Sequence, residues 1–276
     1  MLKQRIITAV ILAPLMIWAI LGLSDQYFPL LVGAIFLAAG WEWTSLSELA
    51  NNVARLFYLL LLAVLMFFMA NVVSANGPFV PLLLTLAVIC WLIVFFWIFR
   101  QETGHKKLSL STHSRLLIGL VLLLMPFIAL VSLGTAFDNG RYLIIFLMFV
   151  IWGADVAAYF SGRAFGQRKL APSISPGKTW EGVTGALLFT LLVAMTGVFL
   201  LGYGNAAYLY ITVLSMIVVV FSIVGDLFES MIKRQAGMKD SGNLLPGHGG
   251  MLDRIDSLTA AAPIFAAGMY LSRTVL

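Results

Sequence analysis

The chain has 276 residues, of which 61% are hydrophobic and only 11% are charged, and its mean hydropathy is +1.00. Soluble domains are about 45–50% apolar, so this composition excludes an ordinary soluble fold and indicates a protein embedded in a membrane. The formal net charge is +5, and a single cysteine, Cys90, excludes an internal disulfide or a cysteine-ligated cluster.

Nine apolar runs follow one another along the chain. A hydrocarbon core about 30 Å thick needs roughly 20 apolar helical residues to cross it, and each run is close to that length. The runs are continuously apolar rather than alternating, which favours helices over a β-barrel. We therefore predict an all-α polytopic membrane protein with about nine transmembrane helices. The runs cover residues 6–23, 28–48, 56–75, 79–99, 116–134, 142–161, 182–202, 206–231 and 257–275.

Basic residues lie mostly at one side of these runs. With the N-terminus in the cytoplasm, fifteen of the 17 Lys and Arg residues fall on the cytoplasmic side, and only Arg141 and Arg273 fall outside. The positive-inside rule therefore predicts a cytoplasmic N-terminus and an outside C-terminus for nine spans. This bias accounts for most of the net charge, so no nucleic-acid partner is expected.

Acidic residues interrupt two of the runs. Asp155 lies deep in the sixth, within IWGADVAAYFSG, and Asp226 and Glu229 lie near the inner end of the eighth, within VGDLFESMIKR. An ionised carboxylate in hydrocarbon is costly, so each side chain should face the bundle interior, a wet cavity or a cation. A buried ion pair or interhelical hydrogen bond is the structural alternative, but intramembrane carboxylates more often mark a functional site.

Charge is concentrated in residues 233–257, KRQAGMKDSGNLLPGHGGMLDRIDS. Asp253 and Asp256 stand three residues apart at the predicted start of the ninth helix, and Asp226 can supply a third carboxylate. Such oxygen ligands, with positions left for water, suit Mg²⁺. A D-x-x-D pair alone is a weak signal and is better explained as a helix start, where acidic residues are favoured. Its neighbours, three cations upstream, a glycine-rich turn and a histidine, favour the metal site. His248 can bind phosphate, ligate metal, transfer a proton, or simply be an exposed loop histidine.

A second polar segment, SGRAFGQRKLAPSISPGKTWEG, follows the sixth run. Its basic residues lie among Gly, Pro and Ser and suit a polyphosphate ligand. Positive-inside bias explains the charge as well, but it does not explain the surrounding residue types. The GKT at 177–179 is not a P-loop, because Pro172 stands where that motif requires glycine.

A characteristic pattern of polar, glycine and proline residues lies between residues 230 and 256. They read Ser230-x-x-Lys233-Arg234-x₄-Lys239-Asp240, then Pro246-x-His248-Gly249-Gly250-x-x-Asp253-Arg254-x-Asp256. This pattern resembles the signature of the phosphatidate cytidylyltransferase (CDP-diacylglycerol synthase) family. SPGKTWEG and GADVAAYFSGRAFG also resemble segments of that family. The likeness spans about 155–257, whereas the N-terminal half resembles the family only in hydropathy.

The resemblance implies an enzyme of phospholipid biosynthesis that condenses CTP with phosphatidic acid to give CDP-diacylglycerol and pyrophosphate. It implies Mg²⁺ as cofactor, with a second metal ion in a paired site. The expected partners are CTP and phosphatidic acid in the inner leaflet, and the expectation allows a homodimer. The active site should face the cytoplasm from the inner (plasma) membrane. The chain would then divide into an N-terminal transmembrane region of about five spans, 1–135, and a C-terminal catalytic transmembrane region of about four, 136–276.

The resemblance also implies roles for individual residues. The expected metal ligands are Asp226, Asp253 and Asp256. Catalytic roles are expected for Lys233, Lys239, Asp240 and His248. Substrate-binding roles are expected for Lys178, Arg234, Arg254, Ser175 and Asp155, with Asp155 serving the nucleotide and metal site rather than contacting phosphatidic acid.

Two other functions use similar residues. A CTP-dependent lipid kinase would transfer the γ-phosphate to a lipid alcohol and would need a general base for its hydroxyl. An ion-coupled transporter would use Asp155 and Asp226 as a relay, but it would need polar residues along a path through both leaflets, and here they gather at one face.

Overall fold

The computed structural model describes residues 13–74, 79–102, 110–244 and 249–275, and side chains up to residue 273. These residues form nine helices and one short hairpin. In chain order they are α1 (Ala13–Gly22), α2 (Phe28–Leu46), α3 (Asn52–Ser74), α4 (Val80–Glu102), α5 (Thr112–Ala136), α6 (Gly140–Phe165), β1 (Lys169–Ala171), β2 (Ser175–Thr179), α7 (Trp180–Leu200), α8 (Asn205–Gln235) and α9 (Leu252–Val275).

The helices coincide with the nine predicted runs. Helices α2 to α8 are seven that are long and apolar enough to cross a membrane by length and composition. The prediction of an all-α polytopic membrane protein is confirmed. Helix α9 has 24 residues, and its middle is rich in buried alanine. The part of the first run before Ala13 lies outside the described residues.

Helix α8 is longer than a membrane crossing requires. Its 31 residues extend roughly 46 Å at 1.5 Å per residue, against about 30 Å of hydrocarbon. The apolar part of its sequence ends near Met231, and its last turn carries Lys233 and Arg234. We therefore expect this polar end to extend beyond the hydrocarbon region.

The predicted polar loop after α6 contains a two-stranded antiparallel hairpin. Lys169 pairs with Thr179, and Ala171 pairs with Ser175. Thr179 is also the N-cap of α7: its hydroxyl accepts a hydrogen bond from the Gly182 amide at 3.1 Å. Strands of 3 and 5 residues are too short to produce a recognisable alternating pattern, so the sequence did not reveal the hairpin.

The chain groups into two compact units. Unit 1 takes the described parts of Met1–Val80, Ser109–Ile145 and Ile232–Ile255. Its helices α2, α3 and α5 pack on one another around large, fully buried side chains. Trp43 donates from its indole to the Arg115 carbonyl at 2.8 Å and lies against Gly119, where a Cβ would overlap the indole ring.

Unit 2 takes the described parts of Pro81–Leu108, Phe146–Met231 and Asp256–Leu276. Phe228 of α8 packs edge-to-face on Trp91 of α4, with ring centroids 6.1 Å apart. Helices α8 and α9 approach closely because glycine stands at the contacts: a Cβ on Gly225 would lie 2.6 Å from the Asp256 carbonyl oxygen. The division of the chain into the regions 1–135 and 136–276 stays a prediction.

Candidate functional site

In unit 2 a lysine of the hairpin meets a carboxylate of α8. The Lys178 ammonium lies 2.7 Å from Asp226 Oδ2, and the two side chains are 25% and 30% exposed. Ser230, one turn further along α8, donates to Asp226 Oδ1 at 3.2 Å. Asp155 of α6 is exposed and interacts electrostatically with both Lys178 and Asp226.

Two carboxylates hold the hairpin that carries Lys178. Glu102, at the end of α4, accepts hydrogen bonds from the Ser173 hydroxyl at 2.7 Å and from the Ile174 amide at 3.2 Å. Glu181, in the first turn of α7, accepts from the amides of residues 167 and 168 at 3.1 to 3.3 Å. The strand bearing Lys178, with half-buried Ser175 at its start, is therefore anchored on both sides.

Unit 1 contains a second lysine–carboxylate pair. Lys233 Nζ lies 2.7 Å from Asp253 Oδ1, and the side chains are 12% and 9% exposed. Asp253 Oδ2 accepts from the amides of Gly250 at 2.8 Å and Ser241 at 3.0 Å. Gly249 has φ +84°, a conformation that favours glycine. We call residues 237–252, as far as they are described, the signature turn.

The other predicted site residues lie on accessible surface or outside the described residues. The side chains of Arg234, Lys239, Asp240 and Arg254 are exposed, so a water-soluble ligand can reach them. His248 falls outside the described residues, and its role stays a prediction. Asp256 follows Asp253 by one turn on α9 and is half-buried.

The sequence profile of the cytidylyltransferase family matches residues 3–272. The chain belongs to this family. It is 44% identical to the phosphatidate cytidylyltransferase of Pseudomonas aeruginosa over 97% of the chain and 96% of the relative. It is 38% identical to that of Haemophilus influenzae, over 96% and 98% of the two chains. It is 37% identical to that of Brucella melitensis, over 95% of the chain and 91% of the relative.

These matches confirm the family resemblance and extend it to the N-terminal half of the chain. In the sequence alone, that half resembled the family only in hydropathy, yet the match begins at residue 3. The predicted enzyme class, phosphatidate cytidylyltransferase, is confirmed. The multi-pass membrane location is also confirmed, since the family match covers all seven long apolar helices.

The aspartates predicted as metal ligands meet some of the requirements of a hard cation such as Mg²⁺. Within the described ranges, no group of three or more His, Cys, Asp or Glu side chains is arranged to hold a metal ion. Mg²⁺ is usually held by only one or two carboxylates together with substrate phosphates and water. Asp226 is the more accessible of the two lysine-paired aspartates, at 30% against 9% exposure, but a metal ion there would share Oδ2 with the Lys178 ammonium. At Asp253 a metal ion would share Oδ1 with the Lys233 ammonium. The metal assignment stays a prediction.

Glu42 contacts the signature turn, and sequence reasoning did not assign it to the candidate site. It lies near the end of α2, is 3% exposed, and accepts from the Met251 amide at 2.9 Å and the Leu252 amide at 2.8 Å. It also accepts from the Ser241 hydroxyl at 2.9 Å. An acidic residue inside an apolar run was the available signal, but its partners are about 200 residues away in the chain. Glu102 was missed for the same reason.

Proposed function

We propose that the chain condenses CTP with phosphatidic acid to give CDP-diacylglycerol and pyrophosphate. The observation that carries this proposal is the 44% identity to a phosphatidate cytidylyltransferase over 97% of the chain. The site geometry is consistent with it, because each of two lysine–carboxylate pairs places a cation beside a potential metal ligand. Such groups suit two anionic substrates.

The chemistry requires no protein nucleophile. An oxygen of the lipid phosphate attacks the α-phosphorus of CTP, a new P–O–P bond forms, and the bond between the α-phosphorus and the β-bridging oxygen breaks to release pyrophosphate. The demands on the protein are in-line positioning and neutralisation of charge on both substrates. These are tasks for fixed cations.

Lys178 and Lys233 are the cations whose positions are best fixed. Lys178 forms an ion pair with Asp226, and Lys233 donates a hydrogen bond to Asp253, each at 2.7 Å. An ammonium group has three N–H donors, so a lysine whose direction is fixed by an aspartate can also contact phosphate oxygens. Arg234 and Lys239, which are exposed, would contact phosphates at the outer part of the site, with Arg254 and Ser175 beside the substrates.

Mg²⁺ would be held by Asp226, Asp256 and Asp253, with a second ion in the paired site that the resemblance implies. When bound, it would neutralise phosphate charge and polarise the reacting phosphorus. Asp226→Asn and Asp256→Asn keep the side-chain size and remove the charge. We expect each to lower kcat by orders of magnitude, and unchanged turnover across a Mg²⁺ titration would remove that residue from the ligand set.

We further propose that the reaction takes place at the cytoplasmic face of the inner membrane. The support is the distribution of Lys and Arg, fifteen of 17 on the predicted inner side. CTP is a cytoplasmic solute, and phosphatidic acid would come from the inner leaflet. Assembly as a homodimer stays a prediction.

Labelled CTP tests the reaction. Purified protein would be given phosphatidic acid, a lipid alcohol such as diacylglycerol, Mg²⁺ and CTP carrying ³²P at either the α or the γ position. The proposal requires α label in the lipid fraction and γ label in pyrophosphate, with no lipid label when phosphatidic acid is omitted. γ label in the lipid fraction would instead identify a CTP-dependent lipid kinase and overturn the proposal.

A further inference from the structure

We propose that Glu42 is a positioning residue for the reaction: from α2 it holds the signature turn and the start of α9, and through them Asp253 and Lys233. This inference rests on the proposed function for its kinetic consequence, although the contacts themselves do not. It assigns a role to the N-terminal half of the chain, where no other site residue was expected.

Glu42 uses both carboxylate oxygens on the signature turn. Oε1 accepts from the Met251 amide at 2.9 Å, and Oε2 accepts from the Leu252 amide at 2.8 Å and the Ser241 hydroxyl at 2.9 Å. Leu252 is the first residue of α9. The first amides of a helix have no partner within it and carry partial positive charge, so a carboxylate there is stabilising. Here the carboxylate comes from another helix.

The backbone of the turn is shaped to admit this carboxylate. A Cβ on Gly242 would lie 2.6 Å from Glu42 Oε1. One on Gly250 would overlap both the Ser241 hydroxyl and the Glu42 carboxylate. Any larger residue at either position would therefore displace Glu42. The glycines of this turn are needed for close approach as well as for its backbone conformation.

The same short segment connects Glu42 to Asp253. Ser241 donates its hydroxyl to Glu42 at 2.9 Å and its amide to Asp253 at 3.0 Å. Along the turn, the Gly250 amide bonds Asp253 at 2.8 Å while the next amide, that of Met251, bonds Glu42 at 2.9 Å. Asp253 in turn bonds Lys233 at 2.7 Å. The carboxylates of Glu42 and Asp253 therefore bind adjacent amides of one turn. A displacement of Glu42 should change the position of Asp253 and, through it, that of Lys233.

A packing role alone would make a different prediction. If Glu42 only stabilised the fold, its loss would reduce the fraction of folded enzyme and leave the folded molecules with normal kinetics. If it positions the turn, each folded molecule should turn over more slowly. Groups that orient active-site residues typically change activity by about 10- to 100-fold when altered. Kinetics per folded molecule therefore separate the two roles.

The test compares Glu42→Gln with Asp138→Asn in the full-length protein in lipid nanodiscs. Glutamine keeps the size of Glu42 but replaces one acceptor oxygen with a donor that faces other donors. We expect kcat per folded molecule to fall about 10- to 100-fold, with KM for phosphatidic acid within about twofold. Hydrogen exchange at residues 250–252 should quicken. Asp138, which is exposed between α5 and α6, should behave as wild type when changed.

Two further variants complete the test. Glu42→Asp keeps the charge and should restore part of the lost turnover. Should Glu42→Gln fail to fold, Ser241→Ala removes only one of the bonds, and its kcat should still fall severalfold. Normal kcat in the variant that folds, or unchanged exchange at residues 250–252, overturns the inference. The exchange readout needs no activity, so it is independent of whether the proposed reaction is right.

Discussion

The ammonium of Lys233 and the carboxylate of Asp253 lie 2.7 Å apart, 20 residues from each other in the chain and almost completely buried. A charge in such a place is tolerable only when it is paired. The lysine at the end of α8 and the aspartate at the start of α9 therefore depend on each other. A change in one alters the electrostatic environment of the other as well as any contact with substrate.

The first prediction concerns this pair. Asp253→Asn and Lys233→Met each leave one nearly buried charge beside a neutral side chain, which typically costs up to about 3–5 kcal/mol of unfolding free energy. Each should also lower kcat by orders of magnitude. In the double variant the losses of stability should be less than additive, because both charges are gone, while activity should remain absent. Thermal unfolding and α-labelled CTP measure the two effects.

An exposed carboxylate provides the control. Asp138, between α5 and α6, has an exposed side chain. Substitutions on the surface usually change stability by less than about 0.5 kcal/mol, so Asp138→Asn should change neither stability nor turnover appreciably. Near wild-type turnover in Asp253→Asn would contradict the assignment of Asp253 to the site.

The second prediction compares two lysines of the hairpin. Lys178→Gln removes the cation that faces Asp226 at 2.7 Å, so we expect kcat/KM for CTP to fall about 100-fold, or about 2.7 kcal/mol of transition-state stabilisation. Lys169→Gln changes an exposed lysine on the neighbouring strand and should stay within about twofold. Equal effects from both variants would mean that the hairpin acts through its overall charge rather than through Lys178.

Hydropathy predicted the helices because each one must satisfy its backbone hydrogen bonds internally and present about 20 apolar residues to lipid. The residues of 230–256 could be recognised because their spacing along the chain is characteristic. Most of the predicted site residues in the described part lie near one another in sequence, on α8, the signature turn or α9.

Pairings between distant segments could not be predicted in this way. The contact of Lys178 with Asp226 depends on a hairpin whose strands are too short to produce a pattern. The bonds of Glu42 reach residues 241, 251 and 252. In the sequence, Glu42 is only an acidic residue that interrupts an apolar run, and nothing local indicates its partners.

The third prediction concerns the packing of α8 on α9. Gly225→Ala would place a methyl group 2.6 Å from the Asp256 carbonyl oxygen and 3.2 Å from Ala260. Overpacking of this kind typically costs about 1–3 kcal/mol, and here it also displaces the α9 backbone at Asp256. We expect a lower melting temperature together with lower turnover.

Gly33→Ala is the matched control, since this glycine also lies within a helix. Its added Cβ would be 3.7 Å from Phe127, an ordinary contact distance. Alanine is the better helix former by about 1 kcal/mol, so stability should be unchanged or higher. A Gly225→Ala protein as stable and active as Gly33→Ala would show that α8 and α9 tolerate separation.

The fourth prediction concerns orientation in the membrane. In a Cys90→Ala background, a single cysteine at Asn243 should react only with reagents that reach the cytoplasm, and one at Asn139 should react from the outside. Both side chains are exposed, so reagent access is set by the side of the membrane. Labelling of position 243 from outside intact cells would reverse the proposed location of the active site.

The last prediction concerns Asp155. Ten residues of α6, about 15 Å of helix, separate it from the end of that helix at Phe165, so we expect it to lie below the level of the lipid headgroups. A lipid phosphate would have to be drawn below headgroup level to meet it, and two negative charges would repel each other. Its electrostatic partners are Lys178 and Asp226. We therefore expect Asp155 to orient Lys178 and Asp226, which are proposed to face nucleotide and metal.

Asp155→Asn should accordingly lower kcat or raise KM for CTP, and it should change KM for phosphatidic acid much less. Asp138→Asn, at an exposed position between α5 and α6, is the control and should leave all three constants unchanged. Steady-state kinetics with each substrate varied in turn measure the difference. Normal kcat together with normal KM for CTP in Asp155→Asn would make Asp155 a structural residue, because its interaction with Lys178 would then have no consequence for the reaction.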